Sequence, residues 1–156
     1  MKVFIGRYPS DWVTKRNPNA QQTVRVRIDP WDTWNMAETL ADIILPMLKQ
    51  LRDDKHGSPG DMKPFKEVSS ESTQYCFDWY KDDDMKAWDL GHKQWCDIMD
   101  KMIWSFEQVV IRDREDQFHT IKDGKRFFDI KAYKVYYERI QEGLDLFGKY
   151  YMNLWD

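Results

Sequence analysis

Few residues in this chain combine the types and spacing that chemistry requires. His92 and Cys96 stand four apart, so on a helix they share one face, as zinc ligands can. Cys76 would be the third ligand. No Cys-x-x-Cys or His-Glu-x-x-His string accompanies them, so no metal is expected. Asp89-Leu-Gly-His92 and Asp116-Gln-Phe-His119 are single and aspartate-based, whereas a di-iron bundle needs repeated Glu-x-x-His. There is no Gly-x-Ser-x-Gly and no phosphate-binding glycine loop, so no catalytic set and no cofactor is implied. His56 beside Lys55 could serve as general base or phosphate partner. The same pair also suits the C-terminal end of a helix dipole. Glu107, inside Trp104-Ser105-Phe106-Glu107, needs a partner or a raised pKa on a core helix. Lys149 or Arg139 would supply the partner, and a sugar hydroxyl is the alternative.

Aromatics make up 15% of the chain, more than one core stripe can absorb. Trp95, Phe106, Phe147 and Tyr151 fit helical stripes. Trp12, Trp31, Trp34, Trp79, Trp88, Trp104, Tyr150 and Trp155 do not all fit there. Half-exposed rings mark binding surfaces, because a flat ring stacks on a base or a partner side chain. Cations beside such rings make a nucleotide pocket, phosphate to Arg or Lys and base to ring. The candidate ligand-binding residues are Arg25, Arg27, Trp31, Trp34, Lys49, Lys55 and His56, joined by Trp104, Glu107, Lys149 and Tyr150.

These groups must be positioned by a scaffold. A chain of 156 residues reads as one domain, with a hairpin and long loop over 1–30 and a helical core over 31–156. Residues 58–87 read as a polar insertion in that core. The chain carries a net charge of −3. Residues 1–30 hold six basic against two acidic residues, a balance of +4, so the remainder carries −7. That is a poor match for duplex nucleic acid, although a local basic strip suits a small anion. No run of about 18 apolar residues exists to span a membrane, and the first seven residues turn polar too soon for a signal peptide. Two cysteines make no disulfide framework, which points to a reducing cytoplasm.

The expected fold is α+β: three long helices forming one core, with an N-terminal β-hairpin packed against them. Thr23–Ile28 alternates, with Val24, Val26 and Ile28 facing one way and Arg25 and Arg27 the other. It pairs with residues 2–5. Two strands alone are unstable in water, so their apolar face must pack on helices or on another subunit. Asn35 and Glu38 then form a capping box for the first helix. Met36, Leu40, Ile43, Ile44, Met47, Leu48 and Leu51 are its stripe, continuing through Pro46. Gly57 is its natural C′ residue. Asp82, Asp83 and Asp84 read as a solvated face or turn, lacking the glycine and glutamate of a calcium loop.

The second helix is expected over Leu90–Ile111, on the period of Trp95, Ile98, Met99, Met102, Phe106 and Val109. Residues 112–126 read as a charged linker turning at Gly124. The third helix is expected over Ile130–Trp155, with a heptad-like seam suited to antiparallel packing and to a twofold dimer. Gly143 and Gly148 inside it point to close approach of another backbone or of a ligand.

Several strings resemble a family of small proteins encoded by tailed bacteriophages. They are Asp32-Thr33-Trp34, Ile44-Leu45-Pro46-Met47-Leu48-Lys49-Gln50-Leu51, Lys55-His56-Gly57 and Met102-Ile103-Trp104-Ser105-Phe106-Glu107-Gln108. Leu146-Phe147-Gly148-Lys149-Tyr150-Tyr151 and Leu154-Trp155 complete the set in the same order, and Pro59–Trp88 departs from it. The resemblance implies a phage origin and no established enzymatic role. The expected protein is then a non-catalytic sponge, a homo-oligomer in the cytoplasm of the infected host. It would sequester a small nucleotide signal of anti-phage defence, a cyclic nucleotide or an ADP-ribose derivative. The alternatives are a phosphodiesterase or other hydrolase using His56 or His119 with Glu107 or an aspartate, and a structural or partner-binding phage protein.

Overall fold

The computed structural model describes residues 1–7, 9–10, 15–17, 19–54, 58–59 and 82–155, the side chains of 82–88 excepted. The chain divides into two compact units, Met1–Thr39 and Leu40–Asp156. The expected mixture of helix and strand is present: among the described residues there are three helices and two small antiparallel hairpins, one of them N-terminal.

In the first unit, β1 (Lys2–Ile5) pairs with β2 (Val24–Arg27). The register sets Lys2 opposite Arg27, Val3 opposite Val26, Phe4 opposite Arg25 and Ile5 opposite Val24. Directly opposed residues share a face. Val3, Ile5, Val24 and Val26 therefore line one face, and Lys2, Phe4, Arg25 and Arg27 the other. A one-turn 3₁₀ helix, Pro30–Thr33, follows. The first helix, α1 (Met36–Asp54), starts where the sequence indicates, but in place of the reciprocal backbone bonds of a capping box the Asn35 side-chain amide donates to the Glu38 carboxylate at 3.0 Å. It runs through Pro46 as one helix. Gly57 lies outside the described residues.

The core of the second unit is built on α2 (Asp82–Val110) and α3 (Ile130–Tyr150). Helix α2 begins earlier than its apolar period indicates, with residues 82–84 in its first turn. Trp95, Met99, Met102 and Phe106 are buried at three- and four-residue spacings. Lys101 pairs with Glu142, Ser105 bonds the Arg139 carbonyl, and Gln108 accepts from Tyr136. Rising numbers on α2 meet falling numbers on α3, so the two helices are antiparallel. Their rings interlock edge to face: Trp95 on Tyr150 at 5.1 Å and Phe106 on Phe147 at 5.0 Å. Helix α1 joins this core through Ala41 and Leu48. Met36, Leu40 and Met47, expected in its stripe, are exposed. The periodic face is wide, and its covered part is Ala41 and Leu48 with Ile44, Leu45 and Leu51 packed beside them.

Residues 112–126 are not a plain linker. A 3₁₀ turn (Asp116–Phe118) leads into β3 (His119–Lys122) and β4 (Lys125–Phe128), which pair as a hairpin. Asp123 and Gly124, with φ of 52° and 72°, form its turn. Positive φ at both central positions matches the twist of the strands, and Asp-Gly tolerates it. Phe118, Phe128, Tyr133 and Tyr136 cluster with ring separations of 5.1 to 6.3 Å, which seats the hairpin on α3. Asp129 caps α3 by accepting from the N–H groups of Lys131 and Ala132. The helix ends at Tyr150, not Trp155, and passes into a 3₁₀ turn at Tyr151–Asn153.

The two glycines of α3 differ. A Cβ on Gly143 would stand 2.0 Å from Ser105 Oγ and 2.6 Å from the Lys101 carbonyl oxygen. Close approach is thus met at Gly143. At Gly148 it is not, since a Cβ there would meet nothing within 4 Å. The two should respond with opposite sign. Gly143→Val should destabilise by about 1–3 kcal/mol through overpacking, lowering Tm by roughly 2–4 °C per kcal/mol in a chain of this size. Gly148→Ala should stabilise by about 0.5–1 kcal/mol. Thermal melts of both variants check this, and a Gly143→Val protein as stable as wild type would refute the close contact.

Candidate functional site

The 3₁₀ geometry that follows β2 governs the first unit. Residues three apart eclipse on such a turn, which brings Trp31 and Trp34 side by side. Their ring centroids are 6.5 Å apart with planes at 44°. Both are open to solvent, Trp31 at 80% and Trp34 at 83% exposure. Arg25 and Arg27 lie on the strand just before, on one face with Lys2 and Phe4. Among the described residues neither arginine has an ion-pair partner. A planar base sandwiched between two rings needs about 7 Å, twice the ~3.5 Å contact distance. The indole pair is close to that spacing and would need a ring rotation to become parallel.

Asp32 clips this turn in place. Its Oδ2 accepts the Asp29 N–H at 2.7 Å and its Oδ1 accepts from the Met1 ammonium at 2.7 Å. Thr33 Oγ1 adds a bond to the Pro30 carbonyl at 2.8 Å. The ammonium bond first, then the Asp29 N–H, hold the Asp32 carboxyl below its usual value.

In the second unit most candidate charges are already engaged. Glu107 pairs with Lys49 at 2.6 Å, both half-exposed. Its partner is therefore neither Lys149 nor Arg139, because α1 lies against this stretch of α2 and presents Lys49 first. Lys149 Nζ sits 4.7 Å above the Tyr150 ring. Tyr150 itself is a core residue, packed on Trp95, and presents little of its ring to a ligand. Lys55 and His56 lie outside the described residues, as do Trp12, Cys76 and Trp79.

Trp104 stands at a cleft of about 320 Å³ between α2 and α3, lined by Asp97, Asp100, Lys101, Trp104, Arg139 and Glu142. Arg139 covers its ring, with Cζ 3.8 Å from the centroid. Asp100 is taken by Arg52 and Glu142 by Lys101. The cleft is thus close to neutral, and weak for an anion. Arg139 was not legible as a partner of Trp104, since nothing local links positions 35 apart. Phe4 was equally hidden until the register placed it opposite Arg25.

Among the described residues no three His, Cys, Asp or Glu side chains are placed to hold a metal ion. None of the described helices is long and apolar enough to cross a membrane. No known protein family, curated protein or solved structure matches this chain.

The Asp32 clip gives the site an acid limit. A carboxyl with a lowered folded pKa contributes stability that is present above its unfolded value, 3.8, and lost as pH falls through the folded value below that. The indole N–H resonances of Trp31 and Trp34 should therefore shift on acidification below pH 3.8, while Asp32→Asn should show the shifted positions already at neutral pH. Wild-type resonances that stay fixed throughout the acid titration would exclude the clip.

Proposed function

We propose that this chain is a phage accessory protein that binds a small anionic nucleotide and holds it without chemical change. The reading rests on one observation: two almost fully exposed tryptophans, side by side on a 3₁₀ turn, follow a strand that carries Arg25 and Arg27 on one face. The base stacks against or between Trp31 and Trp34. The phosphate takes the free guanidinium edges, which bind phosphate oxygens in pairs. Lys2 adds charge on the same strand face. A nucleotide signal of bacterial anti-phage defence, a cyclic nucleotide or an ADP-ribose derivative, has this chemistry, and a protein that sequesters it in the infected cytoplasm needs no catalytic group. The phage origin is what the resemblance of the strings quoted above implies.

Two groups of the hydrolytic alternative are engaged, Glu107 by Lys49 and His119 by stacking on Phe128 at 4.9 Å, while His56 lies outside the described residues. The second copy expected of a homo-oligomer has a place to pack: Val3, Ile5, Val24 and Val26 form an apolar face that the chain itself leaves exposed. Light scattering after size exclusion tests that part.

Calorimetric titration with 3′,5′-cyclic AMP and with ADP-ribose tests the reading. Trp31→Ala and Trp34→Ala should each weaken binding by about 1–3 kcal/mol, the usual loss of one base-stacking ring. Arg25→Gln and Arg27→Gln should each cost about 1.5–3 kcal/mol, roughly ten- to hundredfold in Kd. Lys49→Gln should change Kd little. The nucleotide recovered after denaturing the complex should be intact. A cleaved nucleotide would replace this reading with the hydrolase, and no binding across a nucleotide panel would leave the partner-binding protein.

A further inference from the structure

The strand face next to the Trp31–Trp34 turn carries more than a single nucleotide can use. Arg25 and Arg27 are two residues apart on β2, so their side chains leave one face about 7 Å from each other, at ~3.4 Å per residue. Lys2 is directly opposite Arg27 and Phe4 directly opposite Arg25, each pair at about 5 Å. Like charges opposed in this way, Lys2 against Arg27, weaken the ladder that holds them. Among the described residues no carboxylate pairs with any of the three cations. Phe4 is 58% exposed, and among the described residues no other ring lies against it.

These groups follow one another in a fixed order. β2 runs from Arg25 past Arg27 into the turn, so Arg27 and Lys2 are the near cations, and Arg25 and Phe4 lie farther out. The Phe4 ring leans farther still, since a Cβ on Gly6 would stand 3.7 Å from its Cε1. The sequence along the hairpin is therefore indole pair, cations, phenyl ring. A 3′,5′-cyclic mononucleotide with its base on the tryptophans brings one negative charge to three positive ones and leaves Phe4 uncovered. We infer, resting on the nucleotide reading above, that the ligand is a dinucleotide. One base stacks on the tryptophans, two phosphates lie over Lys2, Arg25 and Arg27, and the second base stacks on Phe4. Every base has a π-face, so these rings set the number of bases and not their identity.

Calorimetric titration of the full chain compares three probes. They are 3′,5′-cyclic AMP with one base and one phosphate, ADP-ribose with one base and two phosphates, and diadenosine diphosphate with two of each. Each step up that series should tighten Kd roughly tenfold, the effect of one more charge-assisted contact or one more stacked ring. Phe4→Ala should weaken diadenosine diphosphate roughly tenfold and leave ADP-ribose unchanged. Phe4→Tyr, which keeps a ring, should retain the wild-type Kd. Lys2→Gln should weaken the two-phosphate probes more than 3′,5′-cyclic AMP. Equal affinity for all three probes, with Trp31→Ala still weakening each, overturns the dinucleotide and leaves the nucleotide reading standing. An equal loss of ADP-ribose and diadenosine diphosphate in Phe4→Ala overturns it as well. A single-stranded oligoadenylate that binds tighter than diadenosine diphosphate overturns it in favour of a nucleic-acid strand. Failure of all the probes to bind removes the nucleotide reading and the dinucleotide together.

Discussion

The contact between Gly143 and Ser105 sets the geometry of the second unit. Two antiparallel helices come this close only where both side chains are nearly absent. Gly143 has none, and Ser105 is buried with its hydroxyl turned to the Arg139 carbonyl at 3.4 Å. On either side of that point the rings have fixed room. Trp95 meets Tyr150 toward one end and Trp104 meets Tyr136 toward the other. The cleft at Trp104 exists because the backbones converge here and the ion pairs on its walls hold the long side chains aside. A helix-interior glycine costs about 1 kcal/mol against alanine. The burial of Trp95, Met99, Met102 and Phe106 against α3 and α1 outweighs that several times over, at about 1.5–3 kcal/mol per large apolar side chain.

Electrostatics divides along the chain in a way net charge conceals. In the second unit four of the described cations sit in ion pairs: Lys49 with Glu107, Arg52 with Asp100, Lys101 with Glu142, Arg126 with Asp116. Each pair is part-exposed, so each is worth at most about 1 kcal/mol to stability. Their effect is to fix long side chains in place. The first unit is the reverse case. Arg25 and Arg27 share a strand face with Lys2, among neighbours of like sign, and that repulsion raises the unit's affinity for an anion.

Apolar period made the helices legible, and little else did. Asn35 and Glu38 placed the start of α1, and the Trp95-to-Phe106 spacing placed the centre of α2. Period says nothing about ends: α2 already runs from Asp82, before its apolar period begins, and α3 tightens into a 3₁₀ turn at Tyr151. The second hairpin was missed although Asp123-Gly124 between His-Thr-Ile-Lys and Lys-Arg-Phe-Phe is a hairpin signal. Those strands bunch Lys122, Lys125 and Arg126 at the turn, lack a strict alternation and are only four residues long, so composition alone resembles a linker. Pairings across the sequence were the least legible. Glu107 finds Lys49 because of which faces of α1 and α2 meet, and Trp104 finds Arg139 where Gly143 lets α3 approach α2, neither of them a local pattern.

What remains to be explained is why two tryptophans should be held in water. A buried indole stabilises the fold through its large apolar area, as Trp95 does, whereas Trp31 and Trp34 contribute little that way. Their turn is nevertheless well constrained: Asp32 ties it from both carboxylate oxygens, Thr33 bonds back to Pro30, and proline fixes φ at the first position. Constraint of the backbone under exposed rings reduces the entropy lost when those rings are covered. A turn held this way is poorly suited to stabilising its own unit and well suited to receiving something flat.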